Sequence, residues 1–352
     1  MSQDKPDSIH GEASISRELH GSRFDQAAAT LFPEFSRSRL QSYIGAGTLT
    51  LDGHAARAKD KVAQGQLLVL AAAVEPAVSW SGDSRPLDII FEDEHVLVVN
   101  KPAGVVVHPA AGHADGTLVN SLIGYAPELE QLPRGGIVHR LDKDTTGIMF
   151  VARSYLAHQS LVKQLAARSV KRVYAAVCRG ALSGGGSVDA PIGRHSSVRT
   201  RMAVTVGGKP AITHYRIAER FKHHTALSVS LETGRTHQIR VHLASRNNPL
   251  IGDPVYGGRP RPPAAASTEL QTMLRTFSRQ ALHAQTLAFD HPATGQRCQF
   301  ETPLPEDLLQ LLSVLRAHDT SLPLWRNALW MLFLPTSVCR EYGHLPLCVQ
   351  ME

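Results

Sequence analysis

Cysteine is scarce in this chain of 352 residues: Cys178, Cys298, Cys339 and Cys348 are all there is, and no two form a C-x-x-C pair. That spacing argues against a zinc knuckle or a dithiol redox motif, and scattered thiols suit a reducing cytoplasm, which is the expected location. Long apolar runs are missing too. The longest, ALWMLFLP at 328–335, is far too short to span a bilayer. The polar start MSQDKPDSIHGEAS lacks the apolar core of a secretory signal, so no membrane association is expected. No segment follows the G-x-x-x-x-G-K-[ST] pattern of a phosphate loop, and there is no tandem repeat. GDPVYGGRPRPP at 252–263 looks superficially like a nucleotide loop but has no following helix to aim amides at a phosphate. Charge of one sign is barely in excess: 37 Lys and Arg stand against 31 Asp and Glu, a net of +6. That balance favours a polyanionic partner without requiring one.

What is present is an ordinary globular composition, 43% hydrophobic and 19% charged, in a chain long enough for two domains. Residues 1–20 are polar and aperiodic and read as a disordered leader. A small module follows at 21–72. Phe24, Ala28 and Leu31 share one helical face; Ser36 is placed to cap a second helix carrying Leu40, Tyr43 and Ile44, which Gly45 and Gly47 stop. TLTLDGHA turns around Asp52-Gly53, a two-residue hairpin signal, and QLLVL supplies a closing strand. Arg23, Arg37, Arg39, Lys59 and Lys61 stay outside the apolar set. The start SRFD, the SRSR of the second helix and the DG hairpin together resemble the alpha-L RNA-binding domain of the ribosomal protein S four type. That resemblance implies RNA contacts from Arg37, Arg39 and Lys59.

Residues 73–86, rich in small residues and proline, read as a linker. From 87 to 318 the pattern becomes strand-rich. LDIIFEDEHVLVVNKP predicts a hairpin, VVVHP a continuation of the sheet, and TLVNSLIGY a short helix. GIMFVAR is a strand, followed by a helix from Ser154 with Leu161, Val162 and Leu165 inward. RVYAAVCRG, THYRIAERF and ALSVSLETG are further strands; THQIRVHLASR starts a helix at Thr236; a late hairpin and the amphipathic PEDLLQLLSVLRA close the domain. Strands and helices interleave without a steady βαβ rhythm, so the fold class expected is α+β with a mixed, largely antiparallel sheet.

The chemistry concentrates in GIVHRLDKDTTGIMF, residues 136–150, where Asp142 and Asp144 stand among Arg140 and Lys143. On an extended chain the two carboxylates would face the same way. A divalent-metal site needs further hard oxygen ligands, but the remaining acids, such as Asp189 and Asp253, are scattered. A glycosidase pair needs one carboxylate kept protonated by an apolar site, and this motif supplies a polar, basic one. A third arrangement is a single carboxylate positioned by an arginine and working at a sugar or base carbon. His139, His237 and His242 lack a third ligand at metal spacing, so no metal is expected. Taken singly, Asp142 reads as a solvated turn residue, Tyr174 of KRVYAA as a strand-core tyrosine, and Arg235 and Arg240 as surface charges at a helix start.

GIVHRLDKDTTG, THYRIAERF, LETGRTHQIRVH, GDPVYGGRPRPP and RQALHAQ follow one another in an order that resembles the RluA-type pseudouridine synthases, over about residues 17–316. The resemblance implies isomerisation of uridine to pseudouridine in large-subunit ribosomal RNA, in the hairpin loop of helix 69. It implies no cofactor, and a monomer acting on ribosomal RNA or a ribosomal precursor particle. By the same resemblance Asp142 is the essential aspartate, Arg240 its basic partner, and Tyr174 the tyrosine that stacks on the base and is a candidate for the last proton abstraction. Arg140 would fill the gap left by the extruded uridine, and Ile239 or Val241 would pack beside the base. The loop RHSSVRTRMAVTVGGKP at 194–210, with Arg199 and Arg201, reads as an RNA backbone clamp, and Arg235 as a further RNA-binding residue. An assembly factor that keeps the fold without turnover is the competing reading. The tail 319–352 does not match the family's ending and is assigned no function.

Overall fold

Short apolar periods punctuated by glycine and proline give short elements here, and these gather into two units, Met1–Ser79 and Trp80–Glu352. The computed structural model describes residues 8–33, 35, 37–73, 81–109, 115–198, 200–264 and 266–319. The expected cap Ser36, the clamp residue Arg199 and the tail from residue 320 onward lie outside the described residues.

In the first unit, β1 (Ser8–Ser14), α1 (Phe24–Leu31), α2 (Arg37–Ala46), β2 (Leu49–Leu51) and β3 (Leu67–Ala73) follow in order. The strands form an antiparallel sheet ordered β1-β3-β2. Phe24, Ala28, Leu40, Tyr43, Ile44, Leu49, Leu68 and Leu70 are its buried core. The expectation of a disordered leader over 1–20 is corrected for its described part, because Ser8–Ser14 pairs with Leu67–Ala73 along its whole length. Burial does alternate along this strand, but its inward positions include Gly11 and Ala13, so hydropathy hides the period. Gly11 is small for a reason: a β-carbon there would lie 2.8 Å from the Phe32 ring. The Asp52-Gly53 turn forms, with φ of 51° and 77°. Beyond it only Leu51 and His54 bridge, and β2 pairs instead with the later β3, to which the Asp52 carboxylate reaches by accepting from the Leu67 amide at 2.7 Å. The helix also runs through Gly45; Gly47, at φ 73°, follows its end.

The second unit contains β4 (Ile89–Glu92), β5 (Val96–Lys101), α3 (Leu118–Tyr125), β6 (Thr146–Ala152), α4 (Tyr155–Ala166), β7 (Lys171–Arg179), β8 (Gly186–Asp189), β9 (Ile192–Arg194), β10 (Met202–Val204), β11 (Ile212–Arg220), β12 (His224–Leu231), α5 (Gln238–Ser245), α6 (Thr268–Thr276), β13 (Leu282–Asp290), β14 (Arg297–Glu301) and α7 (Glu306–His318). Its sheet runs β4-β5-β6-β13-β7-β12-β11-β8, with β14 beside β13. Every pairing is antiparallel except β6 with β13, so the mixed, largely antiparallel sheet is as expected. Gly147 sits at that parallel pair with φ 117°, and a β-carbon there would run into the Ala284 backbone.

Several local expectations are corrected. VVVHP is not a strand, and α6, an amphipathic helix with Leu270 and Leu274 inward and no counterpart among the expected elements, stands before β13. Val162 is 44% exposed, because it lies on the outer side of α4 from the fully buried Leu161. α5 begins at Gln238, two residues after Thr236, because His237 at φ 57° is not yet helical. The linker expected over 73–86 is shorter in the described chain. Residues 81–83 dock on α3: Asn120 donates to the Ser81 carbonyl at 2.9 Å, the Asp83 amide donates to the Asn120 carbonyl at 3.0 Å, and Ser121 donates to the Asp83 carboxylate at 2.8 Å.

Candidate active site

The chain enters β6 through a forced turn. Arg134, Gly135 and Gly136 all have positive φ, and a β-carbon on Gly136 would meet the Ala152 carbonyl. Residues 138–145 then cross the edge of a cavity of about 470 Å³ before the strand begins. Here the chain is not extended: the Thr145 amide donates back to the Asp142 carbonyl at 3.1 Å, with Lys143 and Asp144 in the turn. Asp142 lines the cavity and Asp144 does not. The same-face reading of the two carboxylates is therefore corrected, because alternation holds only for extended backbone.

Two buried cations pin this loop by its backbone. Lys101, at the end of β5, is fully buried and donates to the carbonyls of Pro102, Val105 and Lys143 at 2.7, 2.9 and 2.8 Å. Burial pushes its ammonium down to about 7, while the charges of Asp144 and Asp142 pull the other way. Arg279 donates to the Asp144 carbonyl at 3.3 Å and is itself anchored on Asp307.

Arg240 projects from the first turn of α5, its side chain 5% exposed. Nη1 donates to Asp142 Oδ2 at 2.9 Å; Nε and Nη2 donate to the two oxygens of Asp253 at 2.7 and 2.9 Å. Asp253 is completely buried, and its Oδ1 also accepts the amides of Val255 and Tyr256, each at 2.9 Å. Burial opposes the Asp253 charge, but Arg240 and the two amides outweigh it and hold the carboxyl below its ordinary range. For Arg240, burial disfavours the cation, and the hydrogen bonds and charge of Asp253, with Asp142, hold its pKa above the ordinary arginine value. The Tyr256 ring packs 5.1 Å from the Arg240 guanidinium carbon. Asp142 lines the cavity, and its Oδ1 has His237 Nε2 at 3.9 Å and no hydrogen bond among the described residues, while His237 Nδ1 contacts the Tyr256 hydroxyl at 2.8 Å. Burial lowers the His237 pKa, against the pull of the Asp142 charge.

The structure brings most of the expected residues together. Tyr174, on the central strand β7, lines the cavity at 7% exposure, and burial raises its phenol pKa. Ile239 also lines it. Val241 does not: two residues on along a helix it turns away and packs with Ile192 and Ala211, so its expected place beside the base is corrected. Arg140 is exposed at the cavity edge, and Arg235 lines it while donating to the Pro210 carbonyl at 3.0 Å. Arg201 donates to the Val255 carbonyl, and its guanidinium carbon lies 5.4 Å from the centre of the Tyr256 ring. In the first unit Arg37 is tied at 2.8 Å to the buried Asp25, and Arg39 donates to the Tyr43 hydroxyl at 2.9 Å; Lys59 is exposed. Among the described residues no group of three or more His, Cys, Asp or Glu is placed to hold a metal, and no helix is long and apolar enough to cross a membrane.

Sequence reasoning missed Asp253, Tyr256, Lys101 and Arg172 as parts of this site. Asp253 and Tyr256 lie in GDPVYGG, a stretch that carries the family resemblance and superficially resembles a nucleotide loop without pointing to either residue; a buried Arg240 needing a second carboxylate is the signal that finds them.

A family model described as RNA pseudouridylate synthase matches residues 95–245. The chain is 56% identical over 310 residues to ribosomal large subunit pseudouridine synthase D of Pseudomonas aeruginosa, covering 88% of this chain and 97% of that protein. It is 50% identical over 316 residues to the protein of the same name from Xanthomonas campestris (90% and 96% covered), and 48% identical over 306 residues to that of Escherichia coli K12 (87% and 94%). Among solved structures, human RNA pseudouridylate synthase domain containing 4 superposes with a TM-score of 0.52 at 25% identity, covering 65% of this chain and 92% of that one. Together with the order of the motifs, these similarities show that the chain belongs to the RNA pseudouridine synthase family, in its RluA-type branch.

Proposed function

We propose that the protein isomerises uridine to pseudouridine in large-subunit ribosomal RNA, at the hairpin loop of helix 69. The observation that carries this reading is the placement of Asp142: one carboxylate oxygen is bound by a buried arginine, the other has no hydrogen bond among the described residues, and the residue lines a cavity shared with Tyr174 and Ile239. The reaction breaks the N1–C1′ bond, turns the uracil and rejoins it through C5. Asp142 Oδ1 is the oxygen free to act at the sugar, either by bonding to C1′ or by taking the 2′ hydrogen. The Asp253–Arg240 fork fixes the direction in which Asp142 points. Tyr174 and Ile239 give the detached ring flat and apolar surfaces against which to turn. Arg140, exposed at the mouth, occupies the space of the flipped nucleotide and offsets part of the stacking lost when a base leaves its stem.

The names of the relatives support large-subunit RNA as substrate, and the resemblance of the motifs supports helix 69. The first unit serves as an alpha-L RNA-binding module of the ribosomal protein S four type, with Lys59 and Arg39 toward RNA. The protein works as a cytoplasmic monomer on ribosomal RNA or a precursor particle. Pseudouridine mapping of ribosomal RNA from cells with and without the protein tests this reading. Loss of modification in the helix 69 loop is expected; an unchanged map there would refute the substrate. Tritium release from 5-tritiated RNA by the purified protein separates an enzyme from an assembly factor without turnover.

A further inference from the structure

One cation in the cavity wall has almost none of its hydrogen bonds met. Arg172 precedes Tyr174 by two residues on β7, so both side chains leave the strand on one face, and both line the cavity. Arg172 is 9% exposed. Its Nε is buried without a hydrogen-bond partner, and Nη2 makes only a long contact, 3.4 Å, to the Glu232 carbonyl. Among the described residues no carboxylate lies within ion-pair distance of it. The Glu232 carboxylate is paired with Arg168 at 3.2 Å and His214 at 2.7 Å, and that of Asp142 with Arg240. Gly234 leaves the guanidinium its room, since a β-carbon there would lie 2.7 Å from Nη1. A guanidinium has five N–H donors, and a buried one without acceptors or counter-charge is costly. In a cavity wall, the missing acceptors belong to what enters the cavity.

Depth decides which atoms those are. Arg134, Arg140 and Arg168 are exposed around the rim, where the phosphates of an RNA strand would run. Arg172 instead lies inside, beside Tyr174, and its charge acts on that phenol against the effect of burial. We propose that Arg172 is a further catalytic residue, donating hydrogen bonds to the carbonyl oxygens of the uracil ring as the ring detaches. The inference rests on the reading of the Asp142 cavity as a uridine isomerase site. When N1–C1′ breaks, the electron pair leaves with N1 and spreads over O2 and O4, whichever way Asp142 acts at the sugar. The ring is then an anion, and a preorganised cation beside it lowers the barrier to forming it. Once the ring has turned, the C5–C1′ bond forms, C5 loses its proton to a base and N1 gains one, so nothing is consumed.

The test uses the purified full chain and a ribosomal RNA hairpin carrying the target uridine, with Arg172→Met, Arg172→Lys and Asp142→Asn side by side. Arg172→Met is expected to lower the single-turnover rate at saturating RNA by about 100-fold. Its RNA Kd and the salt dependence of binding should stay at the wild-type values, and Arg172→Lys should fall between. With 5-fluorouridine at the target, whose ring is a better leaving group but whose C5 carries fluorine in place of the proton lost in the last step, the reaction is followed as disappearance of the 5-fluorouridine nucleoside after nuclease digestion and chromatography, and the loss in both variants should shrink by about tenfold. A rate within threefold of wild type overturns the proposal. So does a weaker Kd with a salt slope lower by about one unit and an unchanged saturated rate, which marks a phosphate contact. If Arg172→Met binds no RNA, Arg172→Lys decides: equal loss on uridine and fluorouridine substrates overturns the proposal, and unequal loss supports it. An active Asp142→Asn would instead sink the underlying functional reading.

Discussion

Asp253 grips Arg240 with two parallel hydrogen bonds, at 2.7 and 2.9 Å, and leaves a single guanidinium nitrogen to reach Asp142 at 2.9 Å. The planar fork makes this a directional link, since fixing two nitrogens on Asp253 fixes the third. Replacing Asp253 by Asn removes the charge that offsets the buried cation. Breaking a buried pair this way costs about 3–5 kcal/mol of stability, and the chain should still bind RNA with single-turnover rate reduced more than Kd is raised. Urea unfolding and single-turnover kinetics check both parts. A wild-type rate in a destabilised variant would show that Asp253 only holds the fold.

Asp142→Asn preserves shape and removes the carboxylate that faces the cavity. Tritium release should disappear while RNA binding persists. Asp144→Asn should be mild, because the contact made by this residue with Arg279 runs through its carbonyl, which the substitution keeps. Equal loss in the two variants would bring back a paired-carboxylate mechanism.

Arg140 is exposed at the cavity mouth. If its guanidinium fills the place of the flipped base, Arg140→Ala should be strongly impaired on a stacked hairpin and partly restored on a hairpin whose target uridine is bulged. Avoiding even about 1.4 kcal/mol of flipping cost restores tenfold. Equal impairment on both substrates would assign Arg140 to a phosphate or to Asp142.

Arg37 and Lys59 were both expected to bind RNA, yet their surroundings differ. Arg37 donates to the fully buried Asp25 and is half exposed, whereas Lys59 is exposed. Arg37→Gln should therefore lower thermal stability, by about 1 kcal/mol for a partly solvated pair. Lys59→Gln should leave melting unchanged and reduce the salt slope of RNA binding by about 0.7–0.9 of a unit. Melting curves and filter binding at several salt concentrations distinguish them.

His283 stands on β13 opposite Thr146, with Nδ1 2.8 Å from the threonine hydroxyl and 1% exposure. Burial lowers its pKa from 6.5 to about 4. Between those values the unfolded chain binds more protons than the folded one, so this stability is complete above pH 6.5 and is lost as pH falls toward 4. The slope approaches about 1.4 kcal/mol per pH unit within that window. Unfolding free energies measured from pH 4.5 to 7.5 should be flatter for His283→Gln than for the wild type; parallel curves would contradict the prediction.

Local chemistry determined what could be read from the chain itself. The continuous apolar runs of VLVVN and GIMFVAR, which become the buried strands β5 and β6, the Ser154 cap that accepts from the Ala157 amide, and the tight Asp52-Gly53 turn each depend on residues close together in sequence. The ordered motifs also identified Asp142 and Arg240, which the fold then joins across 98 positions. What tertiary structure alone decided depends on distant partners. The small inward residues of β1 became legible as a strand only against β3 and Phe32. The turn at Asp142 separated two carboxylates that an extended chain would have aligned, and the rotation of α5 sent Ile239 to the cavity and Val241 to the far side. Asp253 and Arg172 show the same division: whether a charged side chain is solvated, paired or left waiting is set by burial, and burial is a property of the packed whole.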